Sequence, residues 1–283
     1  MSANLYFTGA NGSIIDLFNN DYFFISHADG LTAISANIAT STTPSIDGDN
    51  VNNIQAQPRG IVLDLQIKDN ADVETAKRYI LRTVKPKQRG TLRMIYNDRD
   101  IEITGVVESV AMPRFAKGIT MQVSLYCSQP YWRDTEEIVL LISRIIDAHY
   151  FPTDAGGLAL PEEGVIFGEL DTSMTKTYTN DGDADCGMVI SIIALAEVTN
   201  PGIAKSDGSF IGVIDTLTAG DEVIINTNRG EKTIRKNGAN IISKIQPGST
   251  FFQLETGDND LTIYSDEGES NMYFSVSFRR RFV

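Results

Sequence analysis

The chain has little cysteine, little histidine and too few basic residues to balance its acids, and each shortage excludes a class of protein. Two cysteines, Cys127 and Cys186, occur in 283 residues, too few for a disulfide framework or a zinc site of their own. The two histidines, His27 and His149, form no HExxH or HxH motif. The 24 basic and 37 acidic residues give a net charge of −13. That charge disfavours nucleic acid as the main partner, and we expect no sequence-specific nucleic-acid binding.

Long apolar runs are also missing. The strongest run, residues 138–142, is followed by Arg144 and is far shorter than the roughly 20 residues that span a bilayer. The first residues have no basic segment and no long apolar segment of the kind found in secretory signals. We therefore expect no membrane insertion and no export by a cleaved signal.

The motifs of the common enzyme classes are absent from the sequence. No GxGxxG, GxxxxGK[ST] or GxSxG occurs, so the usual phosphate cradles and the exposed nucleophile elbow have no support. An SxxK match at 173–176 lacks its companion motifs. We expect the chain not to be an enzyme, and we predict no catalytic residue, no cofactor-binding residue and no metal ligand.

One acidic cluster, at residues 181–187, resembles the start of a calcium loop. Its carboxylates at Asp181, Asp183 and Asp185 have the spacing of the first three ligands, but glycine stands seventh instead of sixth, and Ile192 replaces the expected glutamate. We expect a polar turn at this place.

Apolar and polar residues alternate along much of the chain, which is typical of half-buried strands. Residues 61–67 and 119–125 show this period of two most clearly. One segment differs, because Val73, Ala76 and Ile80 have helical spacing behind a possible cap at Asp69 or Asn70. The pattern predicts an all-β protein with one main helix.

Charge divides the chain into two parts. Residues 1–134 contain 13 basic and 14 acidic side chains, whereas residues 135–283 contain 11 and 23. Glycine and proline punctuate the segment between them. We predict an N-terminal domain at 1–134, a linker at 135–168 and a C-terminal domain at 169–283.

The segment 29–58 is long and polar, with Ile34 and Ile38 alternating in its first part. A loop of this length rarely lacks a function. Two interpretations stay open: an ordinary surface loop, or an extended arm that packs on a neighbouring subunit.

The strongest positive patch lies in the first domain. It comprises Lys77, Arg78, Arg82, Lys85, Lys87, Arg89, Arg93 and Arg99, with Asp98 as its single acid. Few aromatic residues interrupt it, which disfavours direct nucleic-acid recognition. A solvated face and a subunit interface remain, and we predict a subunit interface at residues 77–89 and at Ile34 and Ile38.

The single tryptophan, Trp132, follows Pro130 and Tyr131 near the end of the first domain. The pair of aromatic rings has two interpretations, a platform for stacking on a sugar or a packing anchor at a domain junction. We favour the junction.

Several motifs together resemble one family. The segment SQPYW at 128–132 is similar to the junction motif of phage distal tail proteins, which are siphovirus-type tail components found also in phage-tail-like particles. Further similar elements follow in the family's order: N-x-G-D at 180–183, an L-x-x-G-D stretch at 217–227, and F-F-Q-L with G-D-N at 251–259. The chain is identified as a member of that family on this succession.

This resemblance implies an architecture and a role. The N-terminal domain would be a tail-tube-like β-sandwich or split barrel with an extended arm, closing into a homo-hexameric ring, and the C-terminal domain a galectin-like β-sandwich. The ring would join the tail tube protein to the baseplate hub or tail-associated protein, carry receptor-binding or other baseplate proteins, and enclose a channel for DNA. Its place would be the tail tip of the virion, after assembly in the bacterial cytoplasm.

An alternative belongs to another functional class. The same C-terminal domain could act as a carbohydrate-binding adhesin module that recognises cell-wall glycans of the host.

Overall fold

The alternating segments form strands in two separate units. The structure, a computed structural model, describes residues 4–32, 34–44, 47–112, 119–141, 145–146, 169–170 and 175–283. Unit 1 comprises Met1–Thr135 with Arg281–Val283, and unit 2 comprises Glu136–Arg280. The described residues include no helix with the length and apolarity needed to cross a membrane.

Unit 1 is built from strands and one helix, α1 (Val73–Thr83). Its strands up to residue 135 are β1 (Asn4–Gly9), β2 (Ile14–Asp16), β3 (Phe23–Asp29), β4 (Ala36–Thr42), β5 (Asp49–Ala56), β6 (Arg59–Ile67), β7 (Arg89–Tyr96), β8 (Arg99–Ala111), β9 (Thr120–Cys127) and β10 (Trp132–Asp134).

Most of these strands join one sheet in the order β2-β1-β7-β8-β9-β6-β3, with β10 paired to β8. Consecutive strands β2 and β3 therefore lie at opposite ends of the order, although only residues 17–22 connect them. Such a connection spans at most about 25 Å, whereas the flat sheet would be about 29 Å wide. The sheet must therefore curl.

Helix α1 covers β1 and β2 and buries Ala76, Ile80 and Thr83. Its N-cap is Asp72, whose carboxylate accepts the backbone N–H of Thr75 at 2.8 Å. The predicted cap at Asp69 or Asn70 is wrong, because the chain makes a turn there, with Ala71 donating to the Lys68 carbonyl.

Residues 97–100, which contain Asn97 and Asp98 between two alternating segments, predict a hairpin, and β7 and β8 form it. Asn97 and Asp98 both have positive φ, of 47° and 63°, the conformation that a two-residue hairpin turn of the I′ type requires. Arg93 then pairs with Asp100 across the two strands.

Unit 2 contains many short strands and two single 3₁₀ turns, Ile242–Lys244 and Glu269–Asn271. Its strands are β11 (Ile138–Leu141), β12 (Ile145–Ile146), β13 (Glu169–Leu170), β14 (Thr175–Asn180), β15 (Met188–Ala194), β16 (Val198–Thr199), β17 (Gly202–Lys205), β18 (Phe210–Gly212), β19 (Thr216–Leu217), β20 (Glu222–Asn226), β21 (Thr233–Lys236), β22 (Ala239–Asn240), β23 (Gly257–Tyr264) and β24 (Met272–Phe278).

Two sheets face each other in unit 2, in the orders β11-β24-β15-β20-β21-β22 and β14-β23-β17-β18. Both contribute to one core, for example through Ile190 and Phe274 from the first and Ile203 and Leu261 from the second. Two antiparallel sheets around a shared core make a β-sandwich.

Two parts of the chain differ from the predicted linker at 135–168 and the predicted C-terminal domain at 169–283. Ile138–Leu141 lies in the segment predicted as linker, but it forms an edge strand on β24; residues 142–144, 147–168 and 171–174 lie outside the described residues. At the other end of the chain β25 (Arg281–Phe282) pairs with β10 in unit 1. The alternation of apolar and polar residues could not predict that β25 pairs with β10, because β25 has only two residues.

Candidate assembly surfaces

The segment predicted as loop or arm forms a hairpin of β4 and β5. Every residue of both strands is exposed. Ile38 and Ile54 are partners in the register, with 54% and 64% of their surface exposed, and Val51 is 58% exposed. A two-stranded hairpin is marginally stable alone in water, so a surface that covers it would stabilise it. Ile34, before β4, is partly buried.

The hairpin is anchored where it leaves the sheet. The buried Arg59 donates from Nη1 to the Leu31 carbonyl at 2.8 Å, and the indole N–H of Trp132 donates to the same oxygen at 2.9 Å. Gly30 has a φ of 76°, and a Cβ there would lie 1.9 Å from the Gly60 carbonyl oxygen. Two donors and a glycine therefore hold the chain at the base of the hairpin.

Sequence reasoning missed Arg59 as part of this anchor. Its Nε and Nη2 have no hydrogen-bond partner among the described residues, and burial lowers its pKa. Burial also raises the pKa of the neighbouring Cys127 thiol to about 11, which keeps that thiol protonated and unreactive. The only signal for Arg59 in the sequence was a basic residue at the start of a segment in which apolar and polar residues alternate.

Trp132 is fully buried in the core of unit 1. Its ring therefore cannot offer a face to a sugar, and the stacking interpretation of this residue is wrong. Pro130 is buried and Tyr131 partly buried beside it.

The basic patch separates into paired and unpaired side chains. Lys77 lies 3.8 Å from Glu74, Arg78 interacts with Asp72, and Arg99 stacks over the Phe282 ring at 4.9 Å. Four exposed cations follow one another from the last turn of α1 into β7, and we name them the basic segment: Arg82, Lys85, Lys87 and Arg89.

No ion pair within the described part of the chain involves the basic segment. A turn holds it in place, with Gln88 donating to the Lys85 carbonyl and Lys87 to the Val107 carbonyl. Four exposed like charges within eight residues repel one another, so an acidic partner would be favourable here.

The family motifs of unit 2 are structural. Asn180 is fully buried and donates to the Ala184 and Leu254 carbonyls, while its oxygen accepts the N–H of Gly182. Asn259 donates to the Glu255 and Gly257 carbonyls at 2.8 and 2.9 Å. The two amides close the loops at one end of the β14–β23 pair.

Two further motif residues brace neighbouring strands. Asp221 accepts from Thr218 N at 2.8 Å, from Asn237 Nδ2 at 2.7 Å and from Lys236 Nζ at 3.0 Å. These donors lower the pKa of Asp221. Thr227 is fully buried and exchanges hydrogen bonds with the Met188 backbone through its hydroxyl.

The acidic cluster at 181–187 forms a turn. Asp181 forms an ion pair with Arg280 at 2.8 Å, and Asn180 organises the backbone. In the described ranges no three acidic, histidine or cysteine side chains come close enough to hold a metal ion.

Two family models match this chain. One, described as the phage tail protein RIFT-related domain, matches residues 10–127. The other, described as the C-terminal domain of the siphovirus-type tail component, matches residues 181–282. The chain belongs to the siphovirus-type tail component family. It is a phage distal tail protein, and its place is the tail of the virion.

Solved structures of other phage proteins share the fold of this distal tail protein. The crystal structure of the Dit protein of phage SPP1, described as a paradigm of the hub adsorption apparatus in phages that infect Gram-positive bacteria, matches with a TM-score of 0.67 at 13% identity, over 100% of both chains. Two chains of the phage P2 baseplate, in its activated conformation with calcium and with strontium, match at TM-scores of 0.52 and 0.50 and 12% identity. They cover 100% and 98% of each chain respectively. No curated protein sequence matches the chain significantly.

Proposed function

We propose that this distal tail protein assembles into a homo-hexameric ring that joins the tail tube to the baseplate hub. One observation carries the proposal: a hairpin with every strand residue exposed projects from unit 1 of a tail component. A ring needs two different complementary faces on each subunit, and the hairpin and the basic segment are two such faces.

The domains divide the work in this proposal. Residues 1–134 form the ring around a channel for DNA, and residues 169–283 carry receptor-binding or other baseplate proteins. The role is structural, without catalysis. The protein's overall acidity, with a net charge of −13, favours free passage of DNA over retention.

The carbohydrate-binding alternative places the sugar site in the C-terminal domain. It loses one possible contact residue, because Trp132 is buried.

The test is the mass of the full-length protein by light scattering after size exclusion, with negative-stain images of the same peak. We expect particles of about six subunits with a central hole. The matched variant replaces Ile38 and Ile54 by serine. Both side chains are exposed, so the variant should keep the circular dichroism spectrum of the wild type and a cooperative thermal transition while assembly is lost. A monomeric wild type at every soluble concentration would contradict the proposal.

A further inference from the structure

The hairpin has a distinctive chemistry. Three exposed apolar side chains, Ile38, Val51 and Ile54, lie along its strands. Two exposed acids, Asp47 and Asp49, stand near its turn, and residues 36–56 contain no Lys or Arg. A surface that covers this hairpin should therefore be apolar beside a cluster of bases.

The same chain presents such a surface at one end of α1. Ile14 in β2 is 64% exposed, and its neighbour Ser13 donates a hydrogen bond of 2.9 Å to the Thr83 hydroxyl. Thr83 lies directly after Arg82 and two residues before Lys85. The exposed Ile14 is therefore beside the basic segment.

The strand register places the base of the hairpin and the start of β7 at the same level along the strands. Arg59, at the base of the hairpin, is opposite Cys127 in β9. The adjacent Tyr126 is opposite Val106, and Val106 is opposite Arg89. The base of the hairpin and the start of β7 are thus level along the strands, with β8 and β9 between them.

This arrangement suits a closed ring. The hairpin and its acceptor lie on opposite sides of β8 and β9, so each subunit presents them as two different faces, which the head-to-tail contacts of a closed ring require. A hairpin strand of eight residues is about 27 Å long, which gives the reach to a neighbouring subunit.

We propose that the hairpin of one subunit docks on a second copy of this chain at Ile14 and the basic segment. The apolar side chains of the hairpin cover Ile14, and Asp47 and Asp49 face Arg82, Lys85, Lys87 and Arg89. No ion pair joins these acids and bases within the described residues of a single chain, so both sets are available to a partner. The proposal rests on the proposed ring and names its interface.

The first test is disulfide trapping in the full-length protein. Ile14→Cys and Val51→Cys in one chain should give, under mild oxidation, a ladder of linked subunits up to the hexamer on a non-reducing gel. An equal mixture of the two single variants should stop at linked dimers, since each chain then has one new thiol. The native cysteines are buried and should not react.

The matched control replaces Phe24, which is exposed on β3, instead of Ile14. Phe24→Cys with Val51→Cys should give no ladder. A ladder from this control, or none from the Ile14 pair, would overturn the proposed docking.

The second test reverses charge. Asp47→Lys with Asp49→Lys should raise the concentration needed for half-assembly by about tenfold or more, and Arg82→Glu with Lys85→Glu in the same chain should restore it. Arg229→Glu with Arg235→Glu, on exposed bases of unit 2, should not. Added salt should weaken the wild-type ring in the same direction.

The outcomes separate the two proposals. Rings from the wild type with neither trapping nor charge rescue would refute this docking and leave the ring standing. A wild type that forms no ring would refute the ring and the docking together.

Discussion

At the scale of single residues, asparagines in the family motifs form hydrogen bonds with backbone groups at the ends of strands. Asn259 is 1% exposed and has two carbonyl oxygens within 2.9 Å of its Nδ2. An amide supplies both donors and an acceptor without charge, which a carboxylate of the same shape cannot. The hydrogen-bond geometry at residue 259 therefore requires asparagine.

Asn259→Ala should lower the free energy of unfolding of unit 2 by about 2 kcal/mol, because buried carbonyls lose their donor. Asn259→Asp should cost more, since it places a negative charge among those carbonyls. Urea denaturation followed by circular dichroism measures both. Asp258→Asn, at the exposed neighbouring position, is the control and should change stability little; an equally large effect there would contradict the argument.

The lowered pKa of Asp221 predicts that the stability of the protein depends on pH. The donors around Asp221 lower its pKa in the folded state, so its contribution to stability is fully present above the unfolded pKa of about 4 and is lost as the pH falls through the lowered pKa of the folded state. Asp221→Asn should therefore destabilise the protein at pH 7 and clearly less at about pH 2. Thermal unfolding at the two pH values checks this, with Glu231→Gln as an exposed control; an equal loss at both would show that the charge is not involved.

At the scale of elements, the first residue of a helix and the pairing partner of a strand depend on residues outside that element. Helical spacing correctly indicated α1, but the predicted caps were Asp69 and Asn70, whereas the cap is Asp72. The turn at 68–71 moves the start of the helix beyond both predicted caps. The segment after Thr135 is similar: its apolar run becomes a strand because β24 has a free edge.

Asp72→Ala should destabilise unit 1 by about 1 kcal/mol, because the N–H of Thr75 loses its acceptor. Asp69→Ala should have an effect near zero. Chemical denaturation of both variants measures the difference. If the two substitutions cost the same, Asp72 is not the effective cap.

At the scale of the whole molecule, Phe282 completes the core of unit 1, although most of that core comes from the first 135 residues. Phe282 is 4% exposed within the core of unit 1, opposite Trp132 in the strand register. Unit 1 therefore lacks part of its core until residues 281–282 have been synthesised.

Phe282→Ala should lower the stability of unit 1 by about 3 kcal/mol and leave unit 2 unchanged. Hydrogen exchange resolved by peptide should show faster exchange in β8 and β10 than in β15 and β24. Val283→Ala, at a residue half exposed, is the control. Equal acceleration in both units would contradict a local role for Phe282.

The sequence by itself determined the all-β class, the position of the main helix, the β7–β8 hairpin and the family. Those features depend on local spacing, such as the alternation in residues 61–67, and on motifs whose amides satisfy nearby backbone groups. Only the tertiary structure decided that Trp132 is buried, that Arg59 anchors the hairpin, that Ile14 lies beside the basic segment and that Phe282 returns to unit 1. Each of these pairs residues far apart in the chain, and burial of a side chain depends on which distant strand covers it, which no local pattern encodes.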